Sequence, residues 1–247
     1  MSILIGTTLT TFAMDDPDTW GAWCRNVEQI RARSSDRVDV FAAIQTDARG
    51  LSPLFDPLLN RLDDLDAGGV GLAGWWEFRL DDKRERITTE NRLLHLTTGQ
   101  NLVTARAVQD PECSHLLFMA ADCMAPDDVL PKLLELDRPY VAPYIPTYGL
   151  RGEPVPVTVP CGNGWETVPC ERAMPSAAAV LLARRLFNRL RWRFDPVAGL
   201  SDDPALMRDA VELLGFTPLV RMDCEARHFP EAIGPVEDRG HDMEVHR

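Results

Sequence analysis

Apolar residues in this chain fall into short uninterrupted runs separated by stretches of helical spacing. Ser2 to Thr8, Arg37 to Ile44, Val70 to Phe78, His115 to Ala121, Tyr140 to Ile145 and Thr217 to Met222 read as strands. The run from His115 has the continuous apolar character of a strand covered on both faces. Between the first two runs, Trp20, Trp23, Val27 and Ile30 recur at helical spacing within Thr19 to Arg33. Leu51 to Leu65 predicts a second helix, with Pro53 tolerated in its first turn and Gly68-Gly69 closing it. Thr88 to Val108 predicts a helix in two pieces broken near Gly99. Leu130 to Leu136 predicts another, with Asp127 and Asp128 suited to its start. Ala177 to Leu190 also reads as a helix, with Val180, Leu181, Phe187 and Leu190 near one face. The last helix runs to Leu214, capped by Ser201 or Asp202 and ended by Gly215.

Strand and helix alternate from the start, which implies a βαβ series. The fold class is therefore α/β: a mostly parallel central sheet flanked by helices, with a small antiparallel part. That part falls in Pro146 to Pro175, rich in proline and glycine, where Val155, Val157 and Val159 alternate. It reads as a long loop with short antiparallel strands, of a kind that closes over ligands in many enzymes. Residues 1–230 form one domain, and 231–247 form a polar tail.

One stretch organises the rest. The apolar run from His115 ends at Asp122, and the chain then turns through Pro126, Asp127 and Asp128 into a helix. A carboxylate where a central strand opens into a loop lies at the edge where open α/β sheets bind ligands. It suits a divalent cation held against a diphosphate, because hard cations take oxygen ligands. A turn cap is the plain alternative.

Composition narrows this picture. Hydrophobic residues at 45% and charged ones at 26% fit an ordinary globular protein, and no run approaches a membrane span. The start of the chain lacks a basic leader, so a cytoplasmic location is expected. None of the six cysteines forms a Cys-x-x-Cys pair, which argues against structural zinc, and free thiols are expected, Cys161 and Cys170 included. A net charge of −12 argues against a general nucleic-acid binder. Arg151 to Arg193, however, holds seven Arg against three Glu, a local +4 that suits a phosphorylated ligand.

Five segments resemble the GT-A-fold glycosyltransferases, in a family-2-like pattern, over about residues 2 to 230. Ala120-Ala121-Asp122 stands where that family has Asp-x-Asp, with the first acid missing and the last kept. Gly99-Gln100-Asn101 through Arg106 resembles the segment before the metal strand, with Gln100 replacing the usual arginine. Ala177 through Phe187 resembles the small-residue segment beside the acceptor site. Ser201-Asp202-Asp203 stands at the place of the Ser-Glu-Asp motif, and Arg227-His228 at the place of a late metal-binding histidine.

The resemblance implies sugar transfer from a nucleotide-diphosphate sugar donor to an acceptor hydroxyl, with Mn²⁺ or Mg²⁺ on Asp122 and His228. Asp203 would be the base of an inverting reaction, with Asp202 its neighbour and rival. Thr8 and Asp47, at the ends of the first two strands, would face the nucleoside, Asn101 would help hold the donor, and Asp122 would meet it through the metal. The acceptor is open among nucleic acid, small molecule and glycan. Two other readings stand beside this one: a degenerate fold that binds nucleotide-sugar without turnover, and a sugar-phosphate nucleotidylyltransferase. The latter opens with a glycine-rich phosphate loop, whereas Ile5-Gly6-Thr7-Thr8-Leu9 has a single glycine.

Overall fold

The structure is a computed structural model that describes residues 1–9, 17–46, 72–79, 89–145, 157–161, 164–168, 178–195, 197, 202–216 and 218–228. The elements in chain order are β1 Ser2–Leu9, α1 Pro17–Arg33, β2 Arg37–Thr46, β3 Leu72–Arg79, α2 Thr89–Gln109, β4 Cys113–Met119, β5 Cys123–Met124 and α3 Val129–Leu134. There follow β6 Tyr140–Tyr144, β7 Val157–Cys161, β8 Gly164–Val168, β9 Ala179–Ala183, α4 Arg184–Phe187, α5 Asp202–Leu214, β10 Leu219–Glu225 and β11 Arg227–His228. Among the described residues the main sheet runs β10-β6-β9-β4-β1-β2-β3. The pairs β1–β2, β2–β3, β1–β4 and β6–β10 are parallel, whereas β9 runs against both β4 and β6. The sheet is mixed and mainly parallel, and the small antiparallel part is the β7–β8 hairpin. The C-terminal ends of β1, β2, β4, β6 and β10 therefore lie along one edge.

The core has two layers, one on each face of the sheet. Ile3, Ile5, Leu117 and Met119 pack with Trp23, Val27 and Ile30 of α1 and with Val129, Leu130 and Leu133 of α3. Leu4, Leu116, Phe118, Tyr140 and Val180 pack on the other side with Val103 of α2 and with Leu206, Met207 and Ala210 of α5. The alternation of β1 between the layers explains its continuous apolar reading, since both faces are covered.

Three expectations need correction. Ala177 to Leu190 is not a helix. Ala179–Ala183 is the central strand β9, and only Arg184–Phe187 coils. A five-residue apolar run carries no period that separates a buried strand from a buried helix. The helix expected to break near Gly99 is continuous from Thr89 to Gln109. A Cβ at Gly99 would lie 2.3 Å from Thr8 Cγ2, so the glycine lets α2 approach β1 closely and does not end the helix. Asp128 stands at the start of α3 but makes no capping hydrogen bond there; it pairs with Lys132, and Asp127 pairs with Arg33. Gly215 does close α5, at φ +68°, with its N–H donating to Val211 O. The expected helix Leu51 to Leu65, Asp47, Cys170 and the tail from residue 231 lie outside the described residues.

Candidate functional site

Asp122 stands on a tight turn directly after β4. Ala120 N–H donates to Ala178 O at 2.8 Å, which fastens the turn to the start of β9, and Cys123 N–H donates back to Ala120 O at 2.9 Å. Asp122 is exposed on this turn, with the buried Ala121 and Cys123 on either side. The chain then enters β5, which pairs antiparallel with β11 so that His228 faces Cys123 and Arg227 faces Met124. The backbone of His228 is thus brought to the neighbour of Asp122 from the far end of the described chain.

A buried asparagine of α1 holds the next residue. Asn26 Nδ2 donates to Ala125 O at 2.7 Å, and Ala125 N–H donates to Asn26 Oδ1 at 2.9 Å. This is the two-way exchange that opposed residues make in an antiparallel ladder, here with an amide side chain as one partner.

The acidic pair lies on the other face. Asp202 is buried and accepts a 2.8 Å hydrogen bond from Nε2 of the fully buried Gln100. Asp203 is half-buried. Both carboxylates act on Tyr140, whose phenol is held well above its ordinary range, by burial first and then by Asp203 and Asp202. Thr8, at the end of β1, is buried beneath Gly99. Thr8 Oγ1, Gln100 Oε1 and Tyr140 Oη have no hydrogen-bond partner among the described residues.

Asn101, the next residue of α2, repeats the pattern of Asn26. Its Nδ2 donates to Trp192 O at 2.8 Å, and its Oδ1 accepts from Trp192 N–H at 3.0 Å. The Trp192 indole N–H donates to Thr104 Oγ1 at 3.0 Å, and the Arg193 guanidinium grips Asp209 of α5 through two bonds of 2.8 Å. The segment after α4 therefore ties α2 to α5.

The sequence-predicted residues thus gather in two groups. Asp122 and the backbone of His228 come together on the α1 side, while Thr8, Asp202 and Asp203 lie with α2 on the opposite face. Asn101, expected at the donor, has both amide atoms on the Trp192 backbone. Among the described residues no group of three or more His, Cys, Asp or Glu gathers as a metal site. Within the described part of the basic stretch, arginines have structural duties. Arg184 donates to the carbonyls of Val108, Asp110 and Cys113 at the end of α2, and Arg185 lies over the Phe216 ring. The described arginines of this stretch, from Arg184 on, follow the C-terminal end of the antiparallel β9 and so lie at the sheet edge away from Asp122. Sequence reasoning missed Asn26, Gln100 as a partner of Asp202, and Tyr140. A polar residue inside the apolar stripe of α1 was the one available signal.

The sequence matches no protein-family model and no curated protein. Solved structures do resemble it. The inositol-1-phosphate CTP transferase of T. maritima superposes with a TM-score of 0.50 at 8% identity, over 91% of this chain and 88% of that one. The likeness is one of fold, an α/β domain with a mixed, mainly parallel central sheet flanked by helices. A Bacillus anthracis structure named as a glucose-1-phosphate thymidylyltransferase, solved with a sucrose, gives a TM-score of 0.50 at 9% identity, over 91% of this chain and 88% of that one. S. aureus TarS 1–349 gives 0.49 at 12% identity; the match covers 94% of this chain and 62% of TarS 1–349. Identities this low speak to the fold alone. No helix among the described residues is long and apolar enough to cross a membrane.

Proposed function

We propose that this GT-A-like chain is a glycosyltransferase that moves a sugar from a nucleotide-diphosphate sugar to an acceptor hydroxyl. The observation that carries the reading is the β5–β11 pairing, which brings His228 into register beside the Asp122 turn at the C-terminal edge of the sheet. That edge is where open α/β folds bind nucleotides. Asp122 and His228 would hold Mn²⁺ or Mg²⁺, with the diphosphate and water supplying the remaining ligands. A bound cation there would supply Lewis-acid neutralisation of the leaving diphosphate.

Asp203 would accept the acceptor's proton in an inverting transfer, and Asp202, tied to Gln100, would fix the first turn of α5. Thr8 and Asp47 would lie towards the nucleoside. The donor is a nucleotide-diphosphate sugar, and the acceptor a nucleic acid, small molecule or glycan.

A second reading, sugar-phosphate nucleotidyl transfer, draws support from the names of the two structures at TM-score 0.50. Gly6 weighs against it. This glycine lies within β1 against Val103, where a Cβ would meet Val103 Cγ1 at 2.0 Å, and so serves packing, not a phosphate loop. A third, binding without turnover, draws on Ala120 standing where the first acid of the motif is missing.

Calorimetry with UDP, GDP, CDP and dTDP, in Mn²⁺ and in EDTA, combined with sugar release from the matching nucleotide-sugars, separates these readings. Metal-dependent binding with sugar release is the expected result, and Asp122→Asn should remove most of the metal-dependent gain. Pyrophosphate release from a nucleoside triphosphate and a sugar 1-phosphate would select the second reading. Binding without any turnover would select the third.

A further inference from the structure

We propose that Asn26 and Asn101 are paired positioning residues, each locking one carboxylate-bearing segment of the site: Asn26 the Asp122 turn, and Asn101, by way of Trp192 and Arg193, the helix α5. The proposal rests on the transferase reading. The two residues stand on different helices, on opposite faces of the sheet, and make the same contact. In each, the amide donates to a backbone C=O and accepts from the N–H of the same residue, Ala125 or Trp192. Asn and Gln alone combine a neutral donor and an acceptor in the geometry of a peptide. Aspartate would lose the donor, and leucine both bonds.

Asn26 is buried between apolar neighbours of α1, where an amide is costly unless both its ends are bonded. Its partner Ala125 follows the two residues of β5, and those two residues pair with Arg227 and His228. One lock therefore sets Asp122 on one side of β5 and His228 across from it. On the other face, Asn101 fixes Trp192, and the adjacent Arg193 holds Asp209 of α5. Gln100, next to Asn101, holds Asp202 at the start of that helix. Neighbouring residues of α2 thus grip α5 at two points.

The two locks act on different steps. Loosening the Asp122–His228 platform weakens the hold on metal and diphosphate. Loosening α5 misplaces the base and leaves the donor in place. Misplacement of a reacting group by about 1 Å can lower a rate by about a hundredfold.

The test uses the full chain with Asn26→Leu and Asn101→Leu, and with Asn26→Asp and Asn101→Asp should a leucine variant fail to fold. Hydrogen exchange at the Ala125 and Trp192 amides reads each lock without reference to activity. Calorimetry with Mn²⁺ and whichever of UDP, GDP, CDP and dTDP binds best reads the first group, and kcat and KM for sugar release read the second. Asn26→Leu should speed Ala125 exchange and weaken Mn²⁺-dependent binding by about tenfold or more. Asn101→Leu should speed Trp192 exchange, lower kcat by about tenfold or more, and leave the affinity within about twofold.

Variants that exchange faster yet bind and turn over as wild type does overturn the proposal. So does an Asn101→Leu protein that loses affinity while keeping kcat, since that is the mark of a donor contact. A wild-type protein that binds no nucleoside diphosphate with Mn²⁺ overturns the transferase reading, and the proposal with it.

Discussion

Gln100 Nε2 donates a 2.8 Å hydrogen bond to Asp202 Oδ2 and so joins the middle of α2 to the first residue of α5 across a buried interface. Both side chains are almost wholly removed from water. The carboxylate has a neutral amide as its partner. Gln100→Met keeps the volume and removes the donor, which leaves a buried carboxylate oxygen without it. The cost should be about 2–3 kcal/mol, the range for losing a hydrogen bond to a charged group. Asp202→Asn keeps a polar partner and should cost less, about 1 kcal/mol. Urea unfolding checks the order. A Gln100→Met protein as stable as wild type would mean that the start of α5 is not held by this bond in solution.

Gly99 makes a second prediction with an unusual sign. Alanine in place of a mid-helix glycine ordinarily stabilises by about 0.5–1 kcal/mol. Here the new Cβ would meet Thr8 Cγ2 at 2.3 Å and Oγ1 at 2.8 Å. Gly99→Ala should therefore destabilise by about 1–3 kcal/mol, the usual cost of overpacking. Adding Thr8→Ala removes both close atoms and should recover most of the loss. A stabilised Gly99→Ala protein would show that α2 stands further from β1 than in this structure.

Buried thiols give a pH prediction. Burial pushes Cys113 and Cys224 up to about 11 each. In the unfolded chain a cysteine releases its proton near pH 8.5, at about the usual thiol value. Below that pH both states are protonated and stability is unaffected. Between about pH 8.5 and 11 the unfolded state loses protons that the folded state keeps, so stability falls as pH rises. Cys113→Ala and Cys224→Ala should flatten that fall, and unfolding midpoints between pH 8 and 10.5 would show it. Variants whose midpoints fall as steeply as those of wild type would place the alkaline loss elsewhere, with Tyr140 the next group to examine.

The sheet and the Asp122 turn were legible because a strand covered on both faces must be apolar throughout, and a polar residue at its end must mark the edge. β9 was misread for the same reason, since a short run without period looks alike as strand or helix, and the arginines after it look helical. Gly99 read as a breaker because its cause, the approach of Thr8, is distant in sequence. Asn26, Gln100 and Asn101 stayed hidden as structural anchors. Their partners are backbone atoms or side chains many residues away, and a single sequence carries no trace of such pairs. The β5–β11 pairing was invisible too, since two-residue strands have no pattern to read.

The acidic pair of α5 offers the most direct test of mechanism. Asp202 and Asp203 open the helix as its first two residues. Their surroundings differ. Asp202 is buried and bonded to Gln100, so it is placed to fix the helix start, whereas Asp203 is only half-buried. A base must reach the acceptor hydroxyl, which favours the less enclosed of the two. Asp203→Asn should lower sugar transfer by about a hundredfold or more while nucleotide and metal binding survive, because only proton acceptance is lost. Asp202→Asn should lower transfer less and stability more. A dead Asp202→Asn with an active Asp203→Asn would reverse the roles. If both variants transfer sugar at the wild-type rate, neither carboxylate is the base, and the pair serves only to start α5.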